Sequence, residues 1–193
     1  MEKSSKLDVV IPALPISNLG AVANMIKKCG GNPIVTNDPQ KLFDCERIIL
    51  AGVGSFDAGV QALHEGDWVE SLNKVANGGN TPILGICLGM QLMCRKSEEG
   101  TLSGLSWFDA DVKRIKSDRS SLKVPHMGWN TIKVKKNNKL LLENNEESRF
   151  YFVHTYHVVC DDQNDIIATT QYGDVITAAV SKNKIFGTQF HPE

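Results

Sequence analysis

Hydrophobic and polar positions follow a helix-and-strand pattern in the first half of this chain and a strand-dominated one in the second. Leu7 to Ile11 is a short apolar run of the kind that forms a buried strand. From Asn18 the pattern changes: Leu19, Val22, Ile26 and Cys29 fall at i, i+3, i+7 and i+10, one face of a helix. Asn18 is suited to cap that helix and Gly30-Gly31 to stop it. Pro33 to Thr36 predicts a second strand, and Asn37-Asp38-Pro39 a turn leading into another helix. Arg47 to Ala51 is a third apolar strand, ending in the loop Gly52-Val53-Gly54. A helix is expected from Asp57 to about Asn77, interrupted near Gly66, before Gly78-Gly79. Pro82 to Ile86 gives a fourth strand, followed by a sharp turn at Cys87 and a helix through Gln91 and Met93. Continuous apolar strands alternating with amphipathic helices predict a parallel sheet covered on both faces.

From Asp109 onward the strand-like segments are Asp111–Ile115, Thr131–Val134, Tyr151–Cys160, Ile166–Thr170, Ala178–Ser181 and Ile185–Phe190, separated by polar turns. No repeat, low-complexity tract or long linker divides the chain, so residues 1–193 are expected to form one mixed α/β domain. That length lets a domain bury about 70% of its unfolded surface.

Charge and composition mainly exclude. With 21 basic against 22 acidic residues there is no electrostatic case for nucleic acid or an anionic membrane. The run Lys133, Lys135, Lys136 and Lys139 lacks interleaved aromatics and is expected to be a solvated turn. The N-terminal apolar stretch falls short of a signal peptide and far short of the roughly twenty residues that span a bilayer. Five irregularly spaced cysteines (Cys29, Cys45, Cys87, Cys94 and Cys160) argue against a disulfide framework and for the cytoplasm.

The segment richest in chemistry is Thr81 to Gln91. A strand runs into Gly85-Ile86-Cys87-Leu88-Gly89, the pattern G-x-C-x-G, the thiol counterpart of a hydrolase nucleophile elbow. A nucleophile on a strand-to-helix turn projects clear of the sheet, and small flanking residues relieve the crowding. Backbone N–H groups at the start of the following helix favour a thiolate. The Leu88 N–H is placed to stabilise an oxyanion once Cys87 attacks a carbonyl. Taken alone, the motif also describes a buried cysteine between two ordinary glycines.

A cysteine nucleophile needs a base, and the chain has five histidines: His64, His126, His154, His157 and His191. His191 ends an apolar strand and precedes Pro192 and Glu193, so Glu193 could hold the far imidazole nitrogen and fix its tautomer. By itself His-Pro-Glu is an ordinary surface turn, and only its pairing with the elbow gives it weight. His154 and His157, three apart on one expected strand, point to opposite faces and with Cys160 make a poor metal site. Cys94 falls on the helix after Cys87 and is expected to be packing.

The two motifs in this order resemble the class I, triad-type glutamine amidotransferases, and within them the glutaminase subunits of imidazole glycerol phosphate synthases, over residues 8 to 193. Three further segments carry the resemblance: Gly52-Val53-Gly54-Ser55-Phe56, Pro125-His126-Met127-Gly128-Trp129-Asn130 and Tyr151-Phe152-Val153-His154-Thr155-Tyr156. It implies a flavodoxin-like α/β fold with a mixed, largely parallel sheet and helices on both faces. It implies that Cys87 attacks the glutamine carboxamide, His191 protonates the departing ammonia and Glu193 orients His191. Leu88 and the loop Gly52, Val53 and Gly54 would form the oxyanion hole, the loop flipping on activation. Gln91, Thr155 and Tyr156 would hold the glutamine. Asn18, Met127, Trp129 and Tyr151 would face a synthase partner. No cofactor or metal is implied.

Three departures stand out. Where the family carries D-Y-G-M-G-N, this chain has Ala13-Leu14-Pro15-Ile16-Ser17-Asn18, and Ala51 stands where the family has proline. The family continues beyond its His-Pro-Glu with Lys-Ser and a final helix, which this sequence is expected to lack. The residues leave other readings open: a paralogue feeding a sugar-modifying synthase, a stand-alone cysteine hydrolase, or a non-catalytic relative.

Overall fold

The computed structural model describes residues 6–116, 122–142 and 148–193. Strand β1 (Asp8–Pro12) leads to helix α1 (Leu19–Lys28), followed by β2 (Asn32–Thr36) and β3 (Arg47–Gly52). Helices α2 (Phe56–Glu65) and α3 (Trp68–Gly78) precede β4 (Ile83–Cys87) and the short α4 (Leu88–Leu92). Strands then dominate: β5 (Lys96–Ser97), β6 (Ala110–Arg114), β7 (His126–Thr131), β8 (Lys133–Val134), β9 (Arg149–His154), β10 (Tyr156–Cys160), β11 (Ile166–Tyr172), β12 (Asp174–Lys182) and β13 (Ile185–Thr188).

The main sheet has the order β2-β1-β3-β4-β13-β12-β11-β8. Its first five strands are parallel, and β12, β11 and β8 extend it antiparallel. The parallel strands read as unbroken apolar runs because both faces are covered. Val10, Ile48, Leu50 and Ile83 pack with Phe56, Leu63, Trp68 and Leu72 of α2 and α3. Their alternate neighbours Val9, Ile11 and Ala51 pack with Val22 and Ile26 of α1 on the other side. Strands β10-β6-β5 form a second small sheet, and β7 and β9 a two-stranded ribbon. A separate apolar cluster, including Phe152, Ala168, Ala178 and Phe190, joins that ribbon to the antiparallel strands.

Several sequence-based expectations need correcting. The helix expected after Pro39 is one 3-10 turn, Pro39–Leu42, started by Asp38, whose side chain accepts the Gln40 N–H. The helix through Met93 stops at Leu92, because a following loop claims its end carbonyls: Leu105 N–H bonds Leu92 and Trp107 N–H bonds Met93. Thr131–Val134 divides at Ile132 between β7 and β8, and β13 ends at Thr188 rather than Phe190. The long strand Tyr151–Cys160 breaks at Thr155, where β9 leaves the ribbon and β10 enters a different sheet. His154 and His157 therefore do not share a strand. The break near Gly66 is where expected, between α2 and α3. The four lysines at 133, 135, 136 and 139 are exposed as expected, but Lys133 lies on β8 and only the other three fall outside the strands.

Candidate active site

Cys87 lies at the carboxyl end of β4, opposite Gly52 of β3 in the register, while β13 runs parallel on the other side and leads to His191. The carboxyl edge of a parallel sheet is the customary place for a site in such folds. Cys87 has φ 53° and ψ −110°, a sparsely populated conformation for a residue with a Cβ. Gly85 and Gly89 make the turn possible. A Cβ on Gly85 would lie 2.7 Å from the Gly89 carbonyl, and one on Gly89 would overlap the Leu50 carbonyl oxygen. Leu88 opens α4, where a helix leaves its first N–H groups without internal partners.

Beyond β13, His191 Nδ1 meets Glu193 Oε1 at 2.9 Å. Both side chains are largely buried. Cys87 first, then Glu193, push the imidazole up to about 10, against the opposing effect of burial. Burial alone pushes Glu193 up, but the bond from His191, a backbone N–H and the imidazole charge outweigh it and hold the carboxyl below its ordinary range. His191 Nε2 and Glu193 Oε2 are buried without a hydrogen-bond partner. The influence of Cys87 on the ring is therefore that of a close neighbour without a bond of ordinary geometry. Unsatisfied buried polar atoms of this kind are uncommon and point to a site built for something else to occupy.

A cavity of about 280 Å³ brings together Cys87, His191, Val53, Gly54, Leu88, Gln91, Thr155 and Tyr156. Gly52 flanks it through its pairing with Cys87. Gln91 Nε2 donates to the Tyr156 carbonyl at 3.0 Å and to Gln189 Oε1 at 3.0 Å. Gln189 Nε2 in turn reaches Cys87 Sγ at 3.7 Å. Val53 N–H is already engaged, donating to the Ile16 carbonyl at 2.6 Å. Ser17, in the segment that departs from the family pattern, donates its hydroxyl to the Ala51 carbonyl at 2.5 Å. The 16–17 segment thus holds the end of β3 and the following loop at two points.

Met127, Trp129 and Tyr151 lie on the β7–β9 ribbon, where Met127 faces Val153 and Trp129 faces Tyr151 across the strands. Met127 is 60% exposed and Trp129 67%, and the Trp129 and Tyr151 rings meet edge-on at 6.0 Å. The Tyr151 carbonyl accepts the His191 N–H at 3.0 Å, so this apolar face is one bond from His191. Asn18 sits apart from the ribbon, its Oδ1 accepting the Ala21 N–H at the start of α1. Among the described residues no cluster of three or more His, Cys, Asp or Glu side chains is arranged to hold a metal ion. Cys94 is buried, and its thiol is pushed well above the ordinary range by that burial.

Sequence reasoning missed Gln189, the Ile16 carbonyl and the His126–His154 pair. Gln189 did leave a signal: a polar side chain at the end of an apolar run, two residues before His191, here fully buried. A backbone carbonyl leaves none. Glu99 also lines the cavity and was missed, its carboxylate accepting the Phe56 N–H at the start of α2.

The profile of the family described as glutamine amidotransferase class-I matches residues 17–193. An imidazole glycerol phosphate synthase subunit HisH 2 from Methanococcus maripaludis is 47% identical over 92% of this chain and 88% of its own length. A subunit HisH from Leptospira interrogans is 42% identical over the same shares. Among solved structures, PurLQS from Thermotoga maritima superposes with a TM-score of 0.72 at 24% identity, covering 97% of this chain and 88% of that one. A glutamine amidotransferase from the same organism gives 0.69 at 17%, covering 96% and 75%. These two likenesses speak for the α/β fold.

Proposed function

From the premise that the chain belongs to the class I glutamine amidotransferases, we propose that it is the glutaminase subunit of an imidazole glycerol phosphate synthase. It hydrolyses glutamine to glutamate and passes the ammonia to a cyclase partner, working in the cytoplasm as one half of a heterodimer in histidine biosynthesis. The observation that carries the chemistry is the meeting of Cys87 and His191 in one cavity, with His191 held from behind by Glu193 and its Nε2 left unpartnered.

In this mechanism Cys87 Sγ attacks the carboxamide carbon, and the C–N bond breaks as His191 delivers a proton to the departing ammonia. Glu193 fixes the proton on Nδ1, leaving Nε2 to exchange protons with thiol and leaving group. Water then hydrolyses the thioester with His191 as base, releasing glutamate. Gln91, Thr155 and Tyr156 hold the glutamine, and the Leu88 N–H supplies one donor to the oxyanion. The loop Gly52, Val53 and Gly54 supplies the second only after the Val53 N–H leaves the Ile16 carbonyl. That bond accounts for a glutaminase that idles alone. Ammonia released into water at neutral pH is protonated and lost as a nucleophile, so hydrolysis is useful only with a loaded partner in place. Met127, Trp129, Tyr151 and Asn18 face that partner.

The test is glutamate release by the chain with and without the cyclase and its nucleotide substrate. We expect little turnover alone, a large rise with the loaded cyclase, and loss of both in Cys87→Ser. Turnover indifferent to the cyclase would overturn the coupling and favour a different synthase or a stand-alone hydrolase.

A further inference from the structure

The ribbon carrying Met127 and Trp129 has a reverse face. There His126, 2% exposed, and His154, 6% exposed, stand opposite one another in the β7–β9 register. His154 Nδ1 is 2.8 Å from the Tyr156 carbonyl. His126 Nδ1 is 3.0 Å from His154 Nε2. Asn130 Nδ2 is 3.2 Å from His126 Nε2 and also donates to the Gln171 carbonyl at 3.0 Å. Positions four apart on an extended strand are about 13 Å apart. Gly128 between them, at φ +130°, turns the ribbon so that the Asn130 amide can meet the ring.

Both ends of this chain are carbonyls, and a carbonyl only accepts. The Tyr156 carbonyl therefore requires a proton on His154 Nδ1, which leaves Nε2 as acceptor in a neutral ring. His126 must then donate from Nδ1 and accept at Nε2, and the amide nitrogen of Asn130 meets that need while its Oδ1 accepts the Thr131 N–H at 2.8 Å. One proton added at His154 would set two donors against each other, and the remedy would reverse every bond up to Asn130. Burial holds both rings neutral, His126 down to about 4 and His154 down to about 3.

We propose that His154 and His126 are positioning residues: the one-directional chain Asn130→His126→His154→Tyr156 fixes the carbonyl that forms the floor of the glutamine pocket and orients Gln91 toward Gln189 and Cys87. The role given to Tyr156 rests on the glutaminase reading, whereas the direction of the chain rests on the geometry alone. His154 also lines the cavity that holds Cys87 and His191, while both its ring nitrogens are spent within the chain, on the Tyr156 carbonyl and on His126. The work of the two imidazoles is to hold Tyr156, and through the Gln91 amide the Gln189 side chain, in the place a bound glutamine meets.

The test has two arms. In protein labelled with 15N histidine, two-bond N–H correlations read each tautomer without any substitution. We expect both His126 and His154 to carry the proton on Nδ1 at pH 7, and an Nε2–H tautomer at either ring would overturn the chain. In the complex with the loaded cyclase, His154→Phe should raise KM for glutamine about tenfold, the weight of one well-placed hydrogen bond, with a smaller change in kcat. His154→Asn, whose amide can donate where Nδ1 did, should return KM to within about threefold of the parent. Equal KM in the two variants, or no rise in His154→Phe, would overturn the positioning role. Should His154→Phe not fold, Asn130→Leu at the half-exposed end of the chain must raise KM in its place, and an unchanged KM there overturns the role equally. An inactive parent complex with the expected tautomers would refute the glutaminase reading and leave the hydrogen-bond chain standing.

Discussion

Two histidine groups near Thr155 and Tyr156 show how environment alone divides one side chain into opposite roles. Beyond the end of β13, His191 has the Cys87 thiol as its first influence and the Glu193 carboxylate, at 2.9 Å, as its second, and its imidazole is pushed up to about 10. Behind the ribbon, His126 and His154 have carbonyls, an amide and aromatic rings for neighbours, and are pushed down to about 4 and about 3. The first group is set to hold a proton and exchange it; the second is set never to take one. Burial is common to both, so it is the presence of an anionic partner that decides the sign.

The sharpest way to break that contrast is to remove the anion. Glu193→Gln keeps the shape beside His191 Nδ1 and deletes the charge. Glutamine hydrolysis by the complex should fall about 10⁴-fold, mostly in kcat, since an orienting carboxylate in such triads contributes on this scale. The His191 titration, followed by NMR, should move down from about 10 but stay above the ordinary histidine range, because Cys87 is the first influence on the ring and Glu193 the second. His191 is raised in the folded state, so its contribution to stability is fully present below the unfolded value of about 6.5. It is lost as pH rises toward about 10, and the variant should show a smaller alkaline loss, since Cys87, the larger influence on the ring, remains. A variant that keeps the parent's rate would sink the role given to Glu193.

The second group predicts the opposite limb. His126 and His154 are lowered in the folded state, so between about pH 6.5 and 4 the unfolded chain binds protons that the fold refuses. Stability therefore falls on acidification through that window. From pH 6.5 to 5.5 the two rings together should cost about 2 kcal/mol, about 1 kcal/mol for each site that titrates only in the unfolded chain. Urea unfolding of the parent and of the double variant His126→Asn, His154→Asn checks this, with His157, also lowered by burial, contributing alike to both. Equal acid limbs would mean that the pair titrates normally in the fold.

The two groups also differ in how far the sequence discloses them. Cys87, His191 and Glu193 were legible because their chemistry demands fixed residue types at fixed turns: G-x-C-x-G at a strand end, and a carboxylate two residues from a histidine. The parallel half of the sheet was legible for a similar reason, since strands such as Val9–Ile11, buried on both faces, can only be apolar. The His126–His154 chain was hidden because its partners are two backbone carbonyls and residues distant in sequence. The break at Thr155 was hidden because the apolar pattern continues through it while the hydrogen bonds change sheets. The restraint on Val53 was equally invisible, since any residue at position 16 presents a carbonyl.

The smallest expected effect probes what keeps the second group dry. His126 lies between two rings, Phe152 at 4.6 Å and Tyr172 at 3.9 Å, both close to parallel with it. Tyr172 also donates its hydroxyl to the Lys123 carbonyl at 2.6 Å, so two contributions must be separated. Tyr172→Phe removes only that exposed bond and should cost well under about 1 kcal/mol. Tyr172→Leu removes the stacked face as well and should cost about 1 kcal/mol more. Only the leucine variant opens a path for water to the imidazole, so only there should the His126 titration rise from about 4 toward the ordinary value. If His126 titrates alike in both variants and the parent, the Tyr172 ring is not what desolvates it, and Phe152 with the ribbon backbone must suffice to keep the pair neutral.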